Sequence, residues 1–302
     1  MSLLVYGIVV GCLYGFWAAG FSLIYLSTRT FHVVHASVFV LAGYTYWLVE
    51  PAYGALIATI LSVSAGIILG ILAELLIYRP LLRRGATPVL LFVASLGAYI
   101  VIENLILLVW GGDTRIVSPP FEAIAKGLVR IGGAGLSVFE IAEAAIGIGL
   151  WIGALGMLRF TLVGKAMRAI AASRDLAELA GINVTTIRVT VIGVGSMFIA
   201  VAGITTTMRA GIEPSSGLSV WIVAVICTLI GQSDPFQAFF VGLFLGIAEA
   251  IILMWISATW QPAVPVIILL LYLTGSAARH LASTLQARRN AQRSMASADL
   301  RI

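Results

Sequence analysis

Apolar residues come in long unbroken runs separated by short polar breaks, and the pattern repeats along the whole chain. A helix needs about 20 consecutive apolar residues to cross the hydrocarbon core of a bilayer. Runs near that length lie at 3–26, 32–49, 55–78, 88–110, 137–158, 187–209, 217–231, 236–256 and 262–280. They are continuous, whereas the strands of a transmembrane barrel alternate apolar and polar positions, so a barrel is excluded. The pattern predicts an all-α integral membrane protein, a polytopic bundle of about 8–9 transmembrane helices. The run at 217–231 is short and the one at 32–49 opens on two histidines, which leaves full crossing and re-entry both open for them. The transmembrane domain is 1–280, and the polar, basic stretch 281–302 reads as a tail without a fold of its own.

Composition points the same way: 61% of the 302 residues are apolar and 10% charged, against about 45–50% and about 25% in soluble domains. The net charge of +5 is a matter of topology, because Lys and Arg cluster at the ends of the runs. With the N-terminus outside and a crossing at every run, Arg29, Arg79, Arg83, Arg84, Arg159, Lys165, Arg168, Arg174, Arg188, Arg279, Arg288, Arg289, Arg293 and Arg301 fall on one side. Only Arg115, Lys126, Arg130 and Arg209 fall on the other, which is 14 against 4 of the 18 basic residues. The basic side is expected to be cytoplasmic, with the C-terminus on it. The first run far exceeds a signal peptide and has no basic segment before it, so it is expected to stay in the mature protein. Cys12 and Cys227 lie inside apolar runs and read as packing residues, with neither a disulfide framework nor a metal site expected.

Lipid gives helices no hydrophobic reason to associate, so small residues that let backbones approach mark contact faces. Gly7, Gly11, Gly15 and Ala19 form one such ridge, and Gly242, Gly246 and Ala250 another. Both serve either as contacts between helices of this chain, the favoured reading, or as interfaces with a partner. Ionisable groups within apolar runs face a bundle interior or a water-filled cavity. Glu103, Asn104 and Glu249 are therefore candidates for a substrate path, with a helix-registering contact as the competing role. Thr206 is a further candidate, although Thr205, Thr206 and Thr207 are also placed to bond back to their own helix. His32 and His35 are three residues apart and would share a helical face. No third ligand lies near them in sequence, so hydrogen bonding at a helix entrance is the expected role.

The longest loop on the basic side, 160–186, reads FTLVGKAMRAIAASRDLAELAGINVTT. Met167, Ile170, Leu176 and Leu179 recur at helical spacing among Lys165, Arg168, Arg174, Asp175 and Glu178, and Gly181 supplies a stop. A short amphipathic helix or helix pair follows. Its charges of both signs favour docking to a protein over lying on a lipid surface.

From Gly164 to Asn183, GKAMRA followed by LAGIN resembles the coupling loop of the high-affinity branched-chain amino acid ABC permeases of the LivH/LivM type. Other landmarks follow in order: GCLYGFWAAGFSLIY from Gly11, HVVHASVFVLAGY from His32, the corner Tyr78-Arg79-Pro80-Leu81, the exit from Trp110 to Arg115, GIEPSSG from Gly211 and GLFLGIAE from Gly242. The chain departs from the family at His32, Ala36 and Ser37, where Asn, Gly and Glu are usual, and in CTLIGQSDP, which keeps only Gly231 of a Gly-rich turn. Of the two histidines only His35 matches the family motif, and it joins the substrate-path candidates.

The resemblance implies an ABC-importer permease fold in a bacterial inner (cytoplasmic) membrane. It implies as partners a homologous second permease subunit or a second copy of this chain, two cytoplasmic ATPase subunits and an extracytoplasmic solute-binding protein. Gly164, Lys165, Met167, Arg168, Leu176, Glu178 and Gly181 would then contact an ATPase. The cargo would be branched-chain or other small amino acids, or small amides or urea. The chain itself lacks ATP-binding apparatus, since Gly164-Lys165 is followed by alanine and has no upstream phosphate-loop glycine. No cofactor and no enzymatic activity are therefore expected of it, ATP being used by the partner subunits. The rival reading is a secondary transporter driven by an ion gradient through Glu103 or Glu249.

Overall fold

A computed structural model describes residues 2–117, 127–131, 134–255, 257 and 260–275. Helix α1 (Ser2–Thr28) is followed by α2 (Val34–Ala73), a π-turn (Glu74–Tyr78), α3 (Arg79–Arg83) and α4 (Pro88–Trp110). After them come strands β1 (Leu128–Ile131) and β2 (Ala134–Ser137), then α5 (Val138–Phe160), α6 (Leu162–Ala172), α7 (Arg174–Leu179), α8 (Val184–Ala210), α9 (Ser216–Ile230) and α10 (Pro235–Ile252). Met1–Ser257 forms one unit, and a second, Ala258–Ile302, carries α11 (Ala263–Gly275). The tail at 281–302 lies outside the described residues.

The sequence pattern treats 32–49 and 55–78 as two spans, whereas one helix covers both and doubles back on itself. Gly54 makes the reversal with φ 78° and ψ 166°, a conformation open to glycine because it has no Cβ. The two arms embrace α8. On the first, Phe39 lies against Gly203 and Gly43 against Thr207; on the second, Gly66 lies against Ala200 and Gly70 against Ser196. The first arm therefore runs parallel to α8 and the second antiparallel. His35, near the start of the first arm, reaches Ser196 in the middle of α8. The 32–49 segment is thus a half-span that begins inside the bundle. The second arm runs on through α3, past the expected end at 78.

The segment 217–231 is also re-entrant. At 15 residues α9 is about 22 Å long at 1.5 Å per residue, short of a bilayer core about 30 Å thick. Its Thr228 hydroxyl donates to the Ala18 carbonyl at 3.4 Å, before α1 reaches its end at Thr28. A tight turn then reverses the chain, with Gln232 at φ 53° and Ser233 at φ 66°. Asp234 caps α10, accepting from the Phe236 N–H at 2.9 Å.

Helix α1 is the axis, with 89% of its most apolar window buried, compared with 22% for α2, α4 and α5. The outer helices turn Leu56, Leu76, Val89, Leu108 and Ile152 outward. Apolar surface of that extent is unusual on a soluble monomer and suits contact with lipid. Both glycine ridges make contacts within the chain, and they meet each other: Gly7, Gly11 and Gly15 of α1 interlock with Gly246, Leu243, Gly242 and Phe239 of α10. A side chain at Gly246 would collide with the Gly11 backbone, while Gly149 faces open space. Gly246→Val should therefore abolish the monodisperse peak in detergent size-exclusion chromatography and Gly149→Val should keep it. Equal behaviour of the two would refute the α1–α10 interlock.

Outside the helical pattern, β1 and β2 form an antiparallel hairpin pairing Leu128 with Ser137 and Ile131 with Ala134. Ser137 then opens α5 through a capping box with Glu140.

Candidate functional site

Because α2 starts inside the bundle, its first N–H groups need partners that water cannot supply. The Ser95 hydroxyl of α4 accepts from Val33 at 2.6 Å and Val34 at 3.2 Å, and the Tyr78 hydroxyl donates to it at 2.5 Å. A serine 62 residues away thus does the work of a helix cap. The Trp221 indole of α9 donates to the His32 carbonyl at 2.9 Å. His32 lies in the linker before α2, so the two histidines do not share a helical face; their rings meet edge-on at 5.7 Å. His35 Nε2 and the Ser196 hydroxyl are 3.3 Å apart. Both imidazoles are buried, and His35 Nδ1 and both His32 nitrogens lack hydrogen-bond partners among the described residues. No group of three or more His, Cys, Asp or Glu placed to hold a metal ion occurs among the described residues.

Phe21, His35, Phe39, Ile199, Trp221 and Ala224 help to line a cavity here of about 10 Å³, room for about one water. Residues of α1, α2, α8 and α9 close around it and leave no space for anything larger.

The basic loop folds as a helix pair. Thr161 caps α6, its hydroxyl accepting from the Gly164 N–H at 3.1 Å, and Ser173 caps α7. Gly164 packs directly on the Leu158 and Met157 carbonyls, where a Cβ would collide. Arg168 Nη1 donates to the Leu158 carbonyl and so ties α6 to the end of α5. Arg174 and Glu178 pair across one turn at 3.0 Å. Gly181 ends α7 at φ 82°, and the Ile182 N–H returns to the Ala177 carbonyl at 3.0 Å, the positive-φ stop the sequence signals. Helix α6 packs on α1, α5 and α8, and α7 packs on α8.

The family of the branched-chain amino acid transport system / permease component matches residues 3–273. The chain belongs to this family. The LivH permease protein of the high-affinity branched-chain amino acid transport system in Salmonella typhimurium is 24% identical to this permease over 282 residues, 88% of this chain and 90% of LivH. BraD of Pseudomonas aeruginosa, named for the same transport, is 24% identical over 260 residues, 82% of this chain and 84% of BraD. MglC of Haemophilus influenzae, a galactose/methyl galactoside import permease, is 27% identical over 167 residues, 54% of this chain and 48% of MglC. Among solved structures, PsaBC from Streptococcus pneumoniae in complex with Fab shares the fold at a TM-score of 0.51 and 10% identity, covering 91% of each chain.

The permease does not gather its polar candidates into one place. His35 is central. Glu249 is buried on α10, and Thr206 sits near the end of α8, its buried hydroxyl without a hydrogen-bond partner among the described residues. Thr205 and Thr207 do bond back, to Ala202 and Gly203. Glu103 and Asn104 ride on α4, which packs on α2 and the π-turn. Asn104 is exposed and donates to its own helix at Ile100, 2.7 Å away, and Glu103 is half-buried one turn on from Tyr99.

Of the residues the resemblance assigns to ATPase contact in the α6–α7 pair, Gly164 and Met167 need correcting: both are buried within the chain, as is Ile170, so none of the three is free for a partner. Leu162, Leu176 and Leu179, at 81%, 66% and 84% exposure, are the large apolar side chains this pair exposes, beside exposed Lys165, Arg168 and Glu178.

Sequence reasoning missed two ion pairs. Arg188 of α8 grips both Glu74 oxygens, at 2.8 and 3.0 Å, in a buried setting. Arg209 meets buried Glu143 of α5 at 3.3 Å. The rule that singled out Glu103 and Glu249, a carboxylate inside an apolar run, applied equally to Glu74 and Glu143. Two motifs far apart in sequence also meet: Arg115 bridges to Ile212 through the backbone, donates to the Trp110 carbonyl at 2.6 Å and lies 5.1 Å from the centre of the Trp47 ring.

Proposed function

We propose that this permease is the membrane-spanning subunit of an ABC importer for branched-chain or similarly small amino acids, and that it moves them by alternating access. The observation that carries the reading is the capped, mixed-charge pair α6–α7, which offers Leu176 and Leu179 to a partner while resting on α1, α5 and α8. An ATPase gripping that pair pulls on the helices that close the cavity beside His35. For ATP to drive the cycle, the ATPase must bind the two states with different affinity.

In this reading the α6–α7 face is cytoplasmic, the N-terminus is outside and the C-terminus inside, in a bacterial inner membrane. Two ATPases, an external solute-binding protein and a second permease subunit, either homologous or a copy of this chain, complete the importer. ATP is used by the ATPases and this chain binds no cofactor. The amino-acid assignment leans on LivH and BraD, which match most of the chain, where MglC matches about half.

In cells carrying the whole transporter, radiolabelled leucine uptake should persist when an ionophore collapses the ion gradients and should stop when ATP is depleted. Uptake that follows the gradient and survives ATP depletion would replace this reading with the secondary transporter. Glu103 is poorly placed for such a relay, being half-buried on an outer helix.

A further inference from the structure

The face that carries α6 and α7 also holds a basic cleft that the coupling reading does not use. Its cavity, about 110 Å³, is lined by Glu74, Arg79 and Arg83 around the π-turn and α3, by Arg174 at the start of α7, and by Arg188 on α8. Four guanidinium groups therefore meet one carboxylate. That carboxylate is already held on both oxygens by Arg188, and Arg174 is paired with Glu178. Arg79 and Arg83 form no ion pair among the described residues, so the wall they share carries uncompensated positive charge. A wider cleft of about 360 Å³ adjoins it through Arg79, with Asn183, Thr185, Thr186 and Thr190 supplying hydroxyl and amide groups.

Guanidinium groups hold phosphate through paired N–H donors, and a lining of arginines and hydroxyls matches a tetrahedral oxyanion. Just before the cleft, Leu72 and Leu76 turn apolar side chains outward at 44% and 70% exposure. Basic pockets between membrane helices at a polar face are suited to lipid headgroups.

We propose that this cleft is a phosphate-binding site in which Arg79 and Arg83 grip the anion and Arg174 closes over it. The phosphate is carried by an anionic phospholipid whose chains lie along Leu72 and Leu76, or is free in solution. An anion there links α3 to the start of α7 and relieves repulsion among the arginines, so its occupancy steadies the docking pair. The site stands on charge and shape alone and does not require the importer reading to hold.

The test is thermal unfolding of the purified full-length permease in neutral detergent, titrated separately with phosphatidylglycerol, phosphatidylcholine and inorganic phosphate. Phosphatidylglycerol should raise the Tm saturably and phosphatidylcholine should not. Arg79→Gln/Arg83→Gln should need roughly tenfold more phosphatidylglycerol or more. Arg79→Lys/Arg83→Lys should recover part of the response, and Arg159→Gln, a basic residue elsewhere on that face, should respond as wild type. If inorganic phosphate matches phosphatidylglycerol, the site holds and its ligand is the free anion. The site is refuted if wild type does not respond, if the double glutamine variant responds like wild type, or if Arg159→Gln loses as much. An unchanged lipid response together with lost ATPase binding in the double glutamine variant would hand these arginines to an acidic protein surface instead.

Discussion

Replacing Leu176 and Leu179 together by aspartate should leave the permease folded in the membrane and strip it of its ATPases. Both side chains stand in the open, at 66% and 84% exposure, so the chain loses no packing of its own. A buried leucine contributes about 1.5–3 kcal/mol, and losing two at an interface weakens docking far more than tenfold. Met167→Asp is the contrasting variant. With Met167 at 0% exposure, a buried charge there disrupts the bundle, and the yield of folded protein falls before docking can be measured. Co-purification of the ATPases with each variant, together with its size-exclusion profile, separates the two effects. ATPases retained at wild-type yield by Leu176→Asp/Leu179→Asp would end the claim that α7 is the docking element.

The second large effect is expected at the Glu74–Arg188 pair. Arg188→Leu leaves the Glu74 carboxylate buried with its two hydrogen bonds gone, and stranding one member of a buried pair costs about 3–5 kcal/mol. The double change Glu74→Leu/Arg188→Leu removes the stranded charge and should recover most of that loss, since an apolar replacement of a buried pair is often neutral or better. Unfolding of the two single variants and the double variant in detergent gives the coupling directly. Arg188→Leu with wild-type stability would show that the pair does not hold the π-turn after α2 to α8.

These two sites differ in how far the sequence reveals them. The α6–α7 pair is local: the helical spacing of apolar residues and the stop at Gly181 lie within one loop, and the structure forms both, adding caps at Thr161 and Ser173 that the spacing did not single out. Which apolar residues face outward was not local. Met167 and Leu176 look equivalent in the sequence, and only the packing of α6 on α1, α5 and α8 turns the first inward.

By itself the sequence determined that the chain is a helical membrane protein, because an apolar run near bilayer length has few other places to go. It also marked the two glycine ridges as contact faces, because glycines four residues apart lie in line along one helix face and admit another backbone, but that the ridges of α1 and α10 meet each other was decided by the fold. The tertiary structure alone decided that 32–49 and 217–231 are half-spans. Length and hydropathy do not distinguish a helix that crosses from one that begins mid-bundle, since the difference lies in who satisfies its first N–H groups. Here Ser95 does so for Val33 and Val34. The two ion pairs have the same origin. Glu74 and Arg188 are 114 residues apart, and only the folding of α2 back along α8 brings them within hydrogen-bonding distance.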